Sequence, residues 1–391
     1  MSSAIQKSSI AVAISAALCA NAWAVDPQRI KLSDGLSLTP TLQVSERYDD
    51  NFRAVEENEE SSWITSITPT FVLAAEGRKS AYQLSYSAAS DIFHSSQKDN
   101  NTDHHLLGDA VFEFDARNRL KLNAGYNRIE ETAAQSTQTR RSMENDRYTT
   151  ANAGGVYSFG AQTARTQLDL GASYQELRYQ NSGGLNADKE RDTTALSSTV
   201  YYRVAPKTRA LVELRHTDYD YVSNDRLNSY NIAMLTGLTW DATAKTTGTV
   251  KFGAEKKRFD TAALDDNSGS MWEVGVKWMP RSYSTFNLQT RRALDEGDDG
   301  ASAIQTQSTT LSWKHQWLDR LNSDVSYTYT DQQYQDYKRD DRLNVFGIGL
   351  TYEMRRWLDI GVGYKYADND STMALESYER NIYSISFTAS L

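Results

Sequence analysis

The chain has 391 residues, a formal net charge of −9 and 39% hydrophobic residues, and its mean hydropathy is −0.63. The acidic balance argues against a nucleic-acid binder, which normally carries a basic face. No segment of the mature chain has the run of about 18 apolar residues that a membrane-spanning helix needs. A membrane-spanning β-barrel remains possible with this composition, because only every second residue of its strands faces lipid. The 23 Tyr and 8 Trp residues fit a barrel, since both favour membrane–water interfaces.

Residues 1–24 are predicted to be a cleaved secretory signal peptide. Lys7 gives a positive start, the stretch from Ile10 to Leu18 is apolar, and Ala22-Trp23-Ala24 forms a small-residue cleavage site. The mature chain would then begin at Val25. The only cysteine, Cys19, lies in this leader, so the mature protein is predicted to have neither a disulfide nor a thiolate site.

From residue 36 onward, apolar and polar residues alternate, as in Leu168, Leu170, Ala172 and Tyr174. A period of two is typical of β-strands with one apolar face. We therefore expect an all-β protein, with a short periplasmic N-terminal segment over 25–35 and an outer-membrane barrel over 36–391.

The predicted connections are of two kinds that alternate strictly. Short turns are expected near 75–79, 115–118, 159–163, 205–209, 241–245, 280–283, 317–320 and 354–357. Long polar loops are expected near 49–61, 91–104, 131–146, 179–191, 220–228, 258–269, 293–304, 332–341 and 367–378. About eight turns and nine loops give about eighteen antiparallel strands in up-and-down order, with short periplasmic turns and long extracellular loops. A soluble β-propeller would also repeat, but it would not place all long loops on one side.

Two further features favour a barrel of the bacterial outer membrane. Trp240, Trp278, Trp317 and Trp357 fall beside short turns, where a periplasmic aromatic girdle would lie. The last strand alternates from Tyr383 to Leu391. Such a strand resembles the segment read by the barrel-assembly machinery, which is therefore an expected partner together with outer-membrane lipid and lipopolysaccharide.

The front of the mature chain carries a more specific signal. It comprises Leu38 to Val44, Tyr48 to Asn51, Ser61 to Ile64, Ile67 to Phe71, Gly77 and Tyr82 to Tyr86. This stretch resembles the start of the putative β-barrel porin type 2 family. The resemblance implies an outer-membrane pore for exopolysaccharide, with a polysaccharide substrate and periplasmic export proteins as partners.

The strand face opposite the apolar one carries both charge signs. The candidate pore-lining residues are Lys121, Arg165, Arg203, Arg215, Lys251, Arg291, Lys314, Lys365, Glu213, Glu255, Glu353 and Asp359. Charge at mid-bilayer must point to water, because lipid exposure costs about 2–4 kcal/mol for each Lys or Arg. These residues either pair across strands and stiffen the wall, or guide a hydrated polymer. Gly347, Gly349, Gly361 and Gly363 share this face and would thin the wall.

The residue pattern predicts no catalytic, cofactor or metal site. His94, His104 and His105 lie near Asp99 and Asp103, where a solvated loop outweighs a metal site. A lipid-face hydrolase would need a serine beside a histidine on adjacent strands, and sequence alone pairs neither His216 nor His315 with one. The acidic stretch Asp295 to Gly300 lacks the EF-hand spacing and is expected to be solvated.

Three functions remain open at this point. The first is a passive pore for exopolysaccharide export, and the second is a general diffusion porin for small hydrophilic solutes. The third is a surface structural or adhesion barrel with a closed lumen. A diffusion porin predicts a long loop folded inward as a constriction, whereas the adhesion barrel predicts negligible conductance. An enzyme is not expected.

Overall fold

The computed structural model describes residues 29–132, 145–243, 245–298 and 300–390. The predicted signal peptide and the terminal residue Leu391 lie outside the described residues, as does most of the predicted loop at 131–146. Among the described residues, no helix is long and apolar enough to cross a membrane.

The described chain forms antiparallel strands joined by turns and loops. The strands are β1 (Ile30–Ser33), β2 (Leu36–Asp49), β3 (Ser62–Glu76), β4 (Ser80–Phe93), β5 (Asn101–Glu113), β6 (Asn118–Glu131), β7 (Asp146–Phe159), β8 (Thr166–Tyr179), β9 (Arg191–Ala205), β10 (Thr208–Tyr221), β11 (Ser229–Thr243), β12 (Thr246–Phe259), β13 (Asn267–Arg281), β14 (Ser284–Glu296), β15 (Ala303–Leu318), β16 (Leu321–Tyr334), β17 (Asp340–Arg355), β18 (Leu358–Ser371) and β19 (Tyr378–Ser390). Short 3-10 helices occupy Gln97–Asp99, Ser182–Gly184, Ala187–Lys189 and Asp225–Leu227 in the loops.

Eighteen strands, β2 to β19, pair in chain order and close into a barrel through β19 and β2. The closing ladder runs from Ile382 opposite Asp49 to Ser390 opposite Thr41. Closure satisfies the backbone groups that an open sheet would leave at its edges. The prediction of an eighteen-stranded up-and-down barrel is confirmed.

The first strand, β1, extends this wall at the turn end. It pairs with β2 through Ile30 opposite Leu38, just beyond the point where β19 ends against Thr41. The connection passes through Gly35 at φ +77, and an added Cβ there would lie 2.6 Å from the carbonyl oxygen of Glu76. Glycine is the residue that suits this tight, left-handed position.

The two ends of the barrel differ as the sequence predicts. All eight connections at one end are short, such as 206–207 and 319–320, whereas the nine at the other end include 50–61 and 180–190. The strands run further than predicted into several loops; β14, for example, continues to Glu296. Polar residues extend a strand there because a neighbouring strand already supplies the hydrogen-bonding partner.

Candidate functional site: the barrel lumen

Residue alternation separates an apolar outer face from a polar inner face. Leu214, Met234 and Phe252 are 52%, 57% and 54% exposed on three neighbouring strands of the outer surface. Their neighbours in sequence, such as Arg215 and Lys251, point into the lumen. Nine more predicted pore-lining residues lie on the inner face by this alternation, namely Lys121, Arg203, Arg291, Lys314, Lys365, Glu213, Glu255, Glu353 and Asp359. Glu273 of β13 lies on the same face, opposite Lys251.

Arg165 does not lie on the predicted inner face but contacts a residue of the outer surface. It lies in the turn before β8, and its guanidinium carbon is 5.0 Å from the ring centre of Tyr202. Tyr202 is 42% exposed on the outer surface. Because Arg165 precedes the strand, the alternation of β8 does not fix its direction.

Four inward charges form one closed network at mid-height. Arg215 donates both Nη atoms to the Glu273 carboxylate at 2.5 and 2.9 Å, and its Nε reaches Glu213 at 2.5 Å. The Lys251 ammonium lies 2.9 Å from an oxygen of each of these two glutamates. Two positive and two negative groups thus neutralise one another across β10, β12 and β13, so the structure supports wall pairing for this set.

Small residues leave room on another part of the wall, at β17 and β18. Gly349 stands opposite Gly363 in the β17–β18 ladder. A Cβ added at Gly349 would lie 2.6 Å from the Asp324 carboxylate, and one at Gly361 would lie 2.5 Å from the Ser386 hydroxyl. These glycines therefore let side chains of the neighbouring strands lie flat against the wall.

A pair of arginines marks the turn end of the lumen. Arg203 and Arg209 are directly opposed in the β9–β10 ladder, and both donate to the carbonyl oxygen of Gln162, at 2.5 and 2.6 Å. The Gln167 side chain also accepts from Arg209. No carboxylate in the described residues forms an ion pair with either arginine. Two like charges thus share one neutral carbonyl at this mouth.

The loop-end part of β14 and β15, residues 293–306, forms an inward-leaning hairpin that we call the β14–β15 hairpin. The β13–β14 ladder ends at Trp272 opposite Arg292, while β14 stays paired with β15 up to Glu296. Ala293 is fully buried against Ala233, Leu235 and Met271, which lie on the inner faces of β11 and β13. The hairpin therefore packs inside the barrel wall.

One carboxylate compensates for the broken ladder. The Leu294 backbone N–H donates to Glu255 Oε1 at 2.6 Å, and the other Glu255 oxygen accepts from the Asn231 amide at 2.9 Å. A buried backbone N–H without a partner would be unfavourable. Glu255 supplies that partner from the inner face of β12, which allows β14 to leave β13.

The hairpin tip is held by further charges. Glu296 pairs with Lys257, whose side chain is 1% exposed, and it accepts from the Tyr221 hydroxyl at 2.8 Å. Asp298 pairs with Lys189 in the loop between β8 and β9. The tip thus runs along the inner faces of β13, β12 and β10 as far as that loop, and it narrows the loop-end mouth.

The expectation that Asp295 to Gly300 forms a solvated loop is therefore wrong for part of the stretch. Asp295 pairs with Arg291 at 2.6 Å, and both Glu296 and Asp298 are used in the contacts above; Asp299 lies outside the described residues. The sequence shows that this stretch is rich in carboxylates. It does not show their partners, which lie on strands far away in the chain.

A second loop also covers this mouth. Phe52 packs between Ile64 and Phe93, which point inward from β3 and β4. Arg53 stacks over the Phe52 ring at 4.8 Å and pairs with Asp99 at 2.8 Å. The loop-end mouth is therefore covered by ordered side chains from two sides.

The histidines near Asp99 are dispersed. His94 contacts Thr65 at 2.9 Å, His104 contacts the Tyr86 hydroxyl at 3.0 Å, and His105 contacts Asn127 at 2.9 Å. His104 and His105 lie on β5, so their side chains point to opposite faces of the wall. Within the described ranges, no three His, Cys, Asp or Glu side chains are placed to hold a metal ion.

His315 has the serine neighbours that sequence alone could not assign. It stands opposite Ser284 on β14 and Ser323 on β16. Each serine hydroxyl accepts instead from an indole, Trp313 at 2.9 Å and Trp317 at 2.9 Å. In the described chain no hydrogen bond joins His315 to either serine, so the geometry gives no activated nucleophile.

The four predicted girdle tryptophans lie at the turn end. Trp278, Trp317 and Trp357 are 48%, 54% and 49% exposed, and Trp240 packs over Gly248 on the adjacent strand. Trp278 also stacks obliquely on Phe286, with ring centres 5.2 Å apart. The result is an aromatic band on the outer surface, below the apolar residues at mid-height.

A closed antiparallel barrel with an apolar outer surface, a charged lumen and an inward-packed hairpin defines a porin-like channel of the bacterial outer membrane. The chain belongs to the family described as putative beta-barrel porin 2, whose model matches residues 36–391. The family resemblance seen at the front of the chain thus extends over nearly its whole length, and no curated protein matches the sequence.

Several solved outer-membrane barrels are similar in structure at low sequence identity. OpdK of Pseudomonas aeruginosa, solved with vanillate, is 11% identical with a TM-score of 0.48, covering 90% of this chain and 98% of OpdK. OccK2 (OpdF) of the same organism is 11% identical with a TM-score of 0.49, covering 92% and 98%. The FrpB iron transporter of Neisseria meningitidis is 11% identical with a TM-score of 0.45; the match covers 85% of this chain but only 62% of FrpB.

Proposed function

We propose that this chain forms a passive channel for small hydrophilic solutes, with the β14–β15 hairpin as its constriction. The observation that carries the proposal is the packing of Ala293 against Leu235 and Met271 inside the wall. Eighteen strands leave an aqueous channel by the scaling of porins. An inward hairpin narrows that channel to the size of small solutes.

The lumen wall away from the hairpin supports passage of hydrated solutes. On β5, β6 and β8 the inward residues Asp109, Lys121, Asn123 and Gln175 are exposed, and their polar groups provide hydrogen bonds along a path. Along β10 to β12, by contrast, Leu211, Leu235 and the charge network fill the inner surface. The path therefore runs along one side of the lumen.

Exopolysaccharide export is the second candidate function. The family resemblance implies it, and one structural feature favours it: the hairpin makes no ladder with β13 beyond Trp272 and Arg292 within the described residues. Movement of the hairpin away from β13 therefore breaks no β13–β14 pairing, while its β15 arm stays paired with β16 through Ile304 opposite Tyr334. A polymer would require this movement, whereas small solutes would not.

Planar-bilayer conductance of the refolded barrel tests the proposal. In a shortened variant, residues 294–305 are replaced by Asn-Gly, a two-residue hairpin turn; in a matched control, the exposed loop 260–266 is shortened in the same way. We expect the wild type to conduct ions in small steps, the hairpin variant to conduct several-fold more, and the control to match the wild type. Equal conductance in all three proteins would contradict the constriction.

Two further readouts separate the alternatives. Liposome swelling with sugars of increasing size should show a small cut-off for the wild type and a larger one for the hairpin variant. A deletion strain that loses surface polysaccharide, restored by the wild type but not by a barrel with its hairpin fixed to β12, would favour export. A wild-type barrel without any conductance would favour the closed surface barrel.

A further inference from the structure

A polar cleft lies on the outer surface of the barrel, near the loop end of β14 to β16. Its volume is about 190 Å³. The lining residues, which we call the outer notch, are Arg292, Gln305, Gln307, Tyr329, Asp331 and Gln333. By strand alternation they share the outer face with Leu288, Leu311 and Tyr327, which are 36%, 50% and 44% exposed.

The notch exists because the β14–β15 hairpin leaves the wall. Beyond Trp272 and Arg292 the β13–β14 ladder stops, and the hairpin tilts toward the lumen. An added Cβ on Gly269 of β13 would lie 2.4 Å from Gln305 Oε1, so the hairpin passes directly beneath β13. The outer surface beside that strand is consequently hollow.

Two donors in the notch are buried and have no partner. They are Arg292 Nε and Gln305 Nε2. The Arg292 guanidinium lies over the Trp272 ring at 5.5 Å, and no carboxylate of the described chain forms an ion pair with it. An unsatisfied buried donor is unfavourable, so the notch favours a ligand that brings acceptor oxygens.

The remaining lining groups suit a hydroxyl-rich ligand. Gln307 and Gln333 offer both amide donors and carbonyl acceptors, and the Asp331 carboxylate accepts hydrogen bonds from hydroxyl groups. Tyr329 adds an aromatic ring against which a sugar can pack. A cationic group beside amides, a carboxylate and an aromatic ring is a combination that recognises a phosphorylated saccharide rather than a bare ion.

We propose that the outer notch binds the phosphorylated saccharide headgroup of an outer-leaflet glycolipid. The position supports a lipid over a soluble sugar, because Leu288, Leu311 and Tyr327 continue the same face away from the loop end. Acyl chains would lie along these residues while the headgroup fills the notch. The proposal is independent of whether the lumen conducts.

The test measures binding of rough-type lipopolysaccharide to the folded, detergent-solubilised barrel by calorimetry, with Trp272 fluorescence as a local reporter. We expect saturable binding to the wild type and at least about tenfold weaker binding to Arg292→Gln. Arg128→Gln is the matched control, because Arg128 is exposed on the outer face at the loop end of β6. The control should bind as the wild type does.

A second variant guards against a folding defect. Gln307→Ala with Gln333→Ala leaves the Arg292 stack intact and should also weaken binding, while gel mobility before and after heating reports folding. Trp272→Phe should abolish the fluorescence change without abolishing the calorimetric signal. Equal binding by the wild type and Arg292→Gln, or no binding by the wild type, would overturn the proposal. Binding of the delipidated saccharide but not the intact glycolipid would overturn the assignment to a lipid.

Discussion

The Glu255 carboxylate accepts a hydrogen bond from the Leu294 backbone N–H at 2.6 Å, across 39 positions of sequence. This contact joins the inner face of β12 to a segment of β14 that has left its ladder with β13. The contact stabilises the β14–β15 hairpin inside the lumen as a constriction. The Leu294 N–H, which β13 no longer pairs with, is satisfied by an acceptor inside the barrel.

Removing this acceptor should release the hairpin. Glu255→Ala leaves the Leu294 N–H and the Asn231 amide without their shared partner, and loss of a hydrogen bond to a charged group costs about 1.5–3 kcal/mol. We expect faster hydrogen exchange at Leu294 and a higher, noisier single-channel conductance. Glu353→Ala is the matched control, since Glu353 accepts from the Asn322 side chain at 3.2 Å and lies away from the hairpin. The same change in both variants would contradict the role of Glu255.

The ion pair at the tip should behave non-additively. Glu296→Ala leaves the Lys257 ammonium buried without its partner, and breaking a buried pair in this way costs about 3–5 kcal/mol. Lys257→Met with Glu296→Leu removes both charges and should lose much less stability. The free energy of unfolding in urea, measured with refolding into vesicles, is compared for these variants and for Lys257→Met and Glu296→Leu alone, which complete the double-mutant cycle. A double variant as unstable as Glu296→Ala would show that the loss of stability does not come from leaving the Lys257 charge unpaired.

The opposed arginines at the turn-end mouth should favour anions. Arg203→Gln with Arg209→Gln removes two charges that form no ion pair within the described residues, so the reversal potential in a KCl gradient should shift toward cation preference. The variant should be as stable as the wild type or slightly more so, because directly opposed like charges are destabilising by about 0.2–1 kcal/mol. Arg117→Gln with Arg320→Gln, both in exposed turns, should leave the potential unchanged.

A glycine beneath the aromatic band should be intolerant of a methyl group. A Cβ added at Gly248 would lie 2.5 Å from the Trp240 ring, so Gly248→Ala should displace the indole and lower stability by about 1–3 kcal/mol. Gly275→Ala on the next strand is the control, since nothing lies within 4 Å of its added Cβ. Similar unfolding midpoints for the two variants would be the contrary result.

The number of strands and the direction of most side chains were predictable from sequence. Alternation is a local property: once Leu214 and Met234 face lipid, Arg215 must face the lumen. The eight short turns and nine long loops follow from the same local signal, as does the aromatic band near the turns. The direction of the Arg165 side chain was not predictable, because Arg165 lies in a turn, where the period of two no longer applies.

A barrel, its strand count, its two unlike ends and its charged interior follow from local sequence, because each depends on neighbours within one hairpin. Which charges meet, and where the wall opens, depends on the folded barrel. Arg215 reaches Glu273 across 58 positions, and Glu296 reaches Tyr221 across 75. Such partners are chosen by barrel closure and by the departure of β14 from β13, which depend on contacts between strands far apart in the chain.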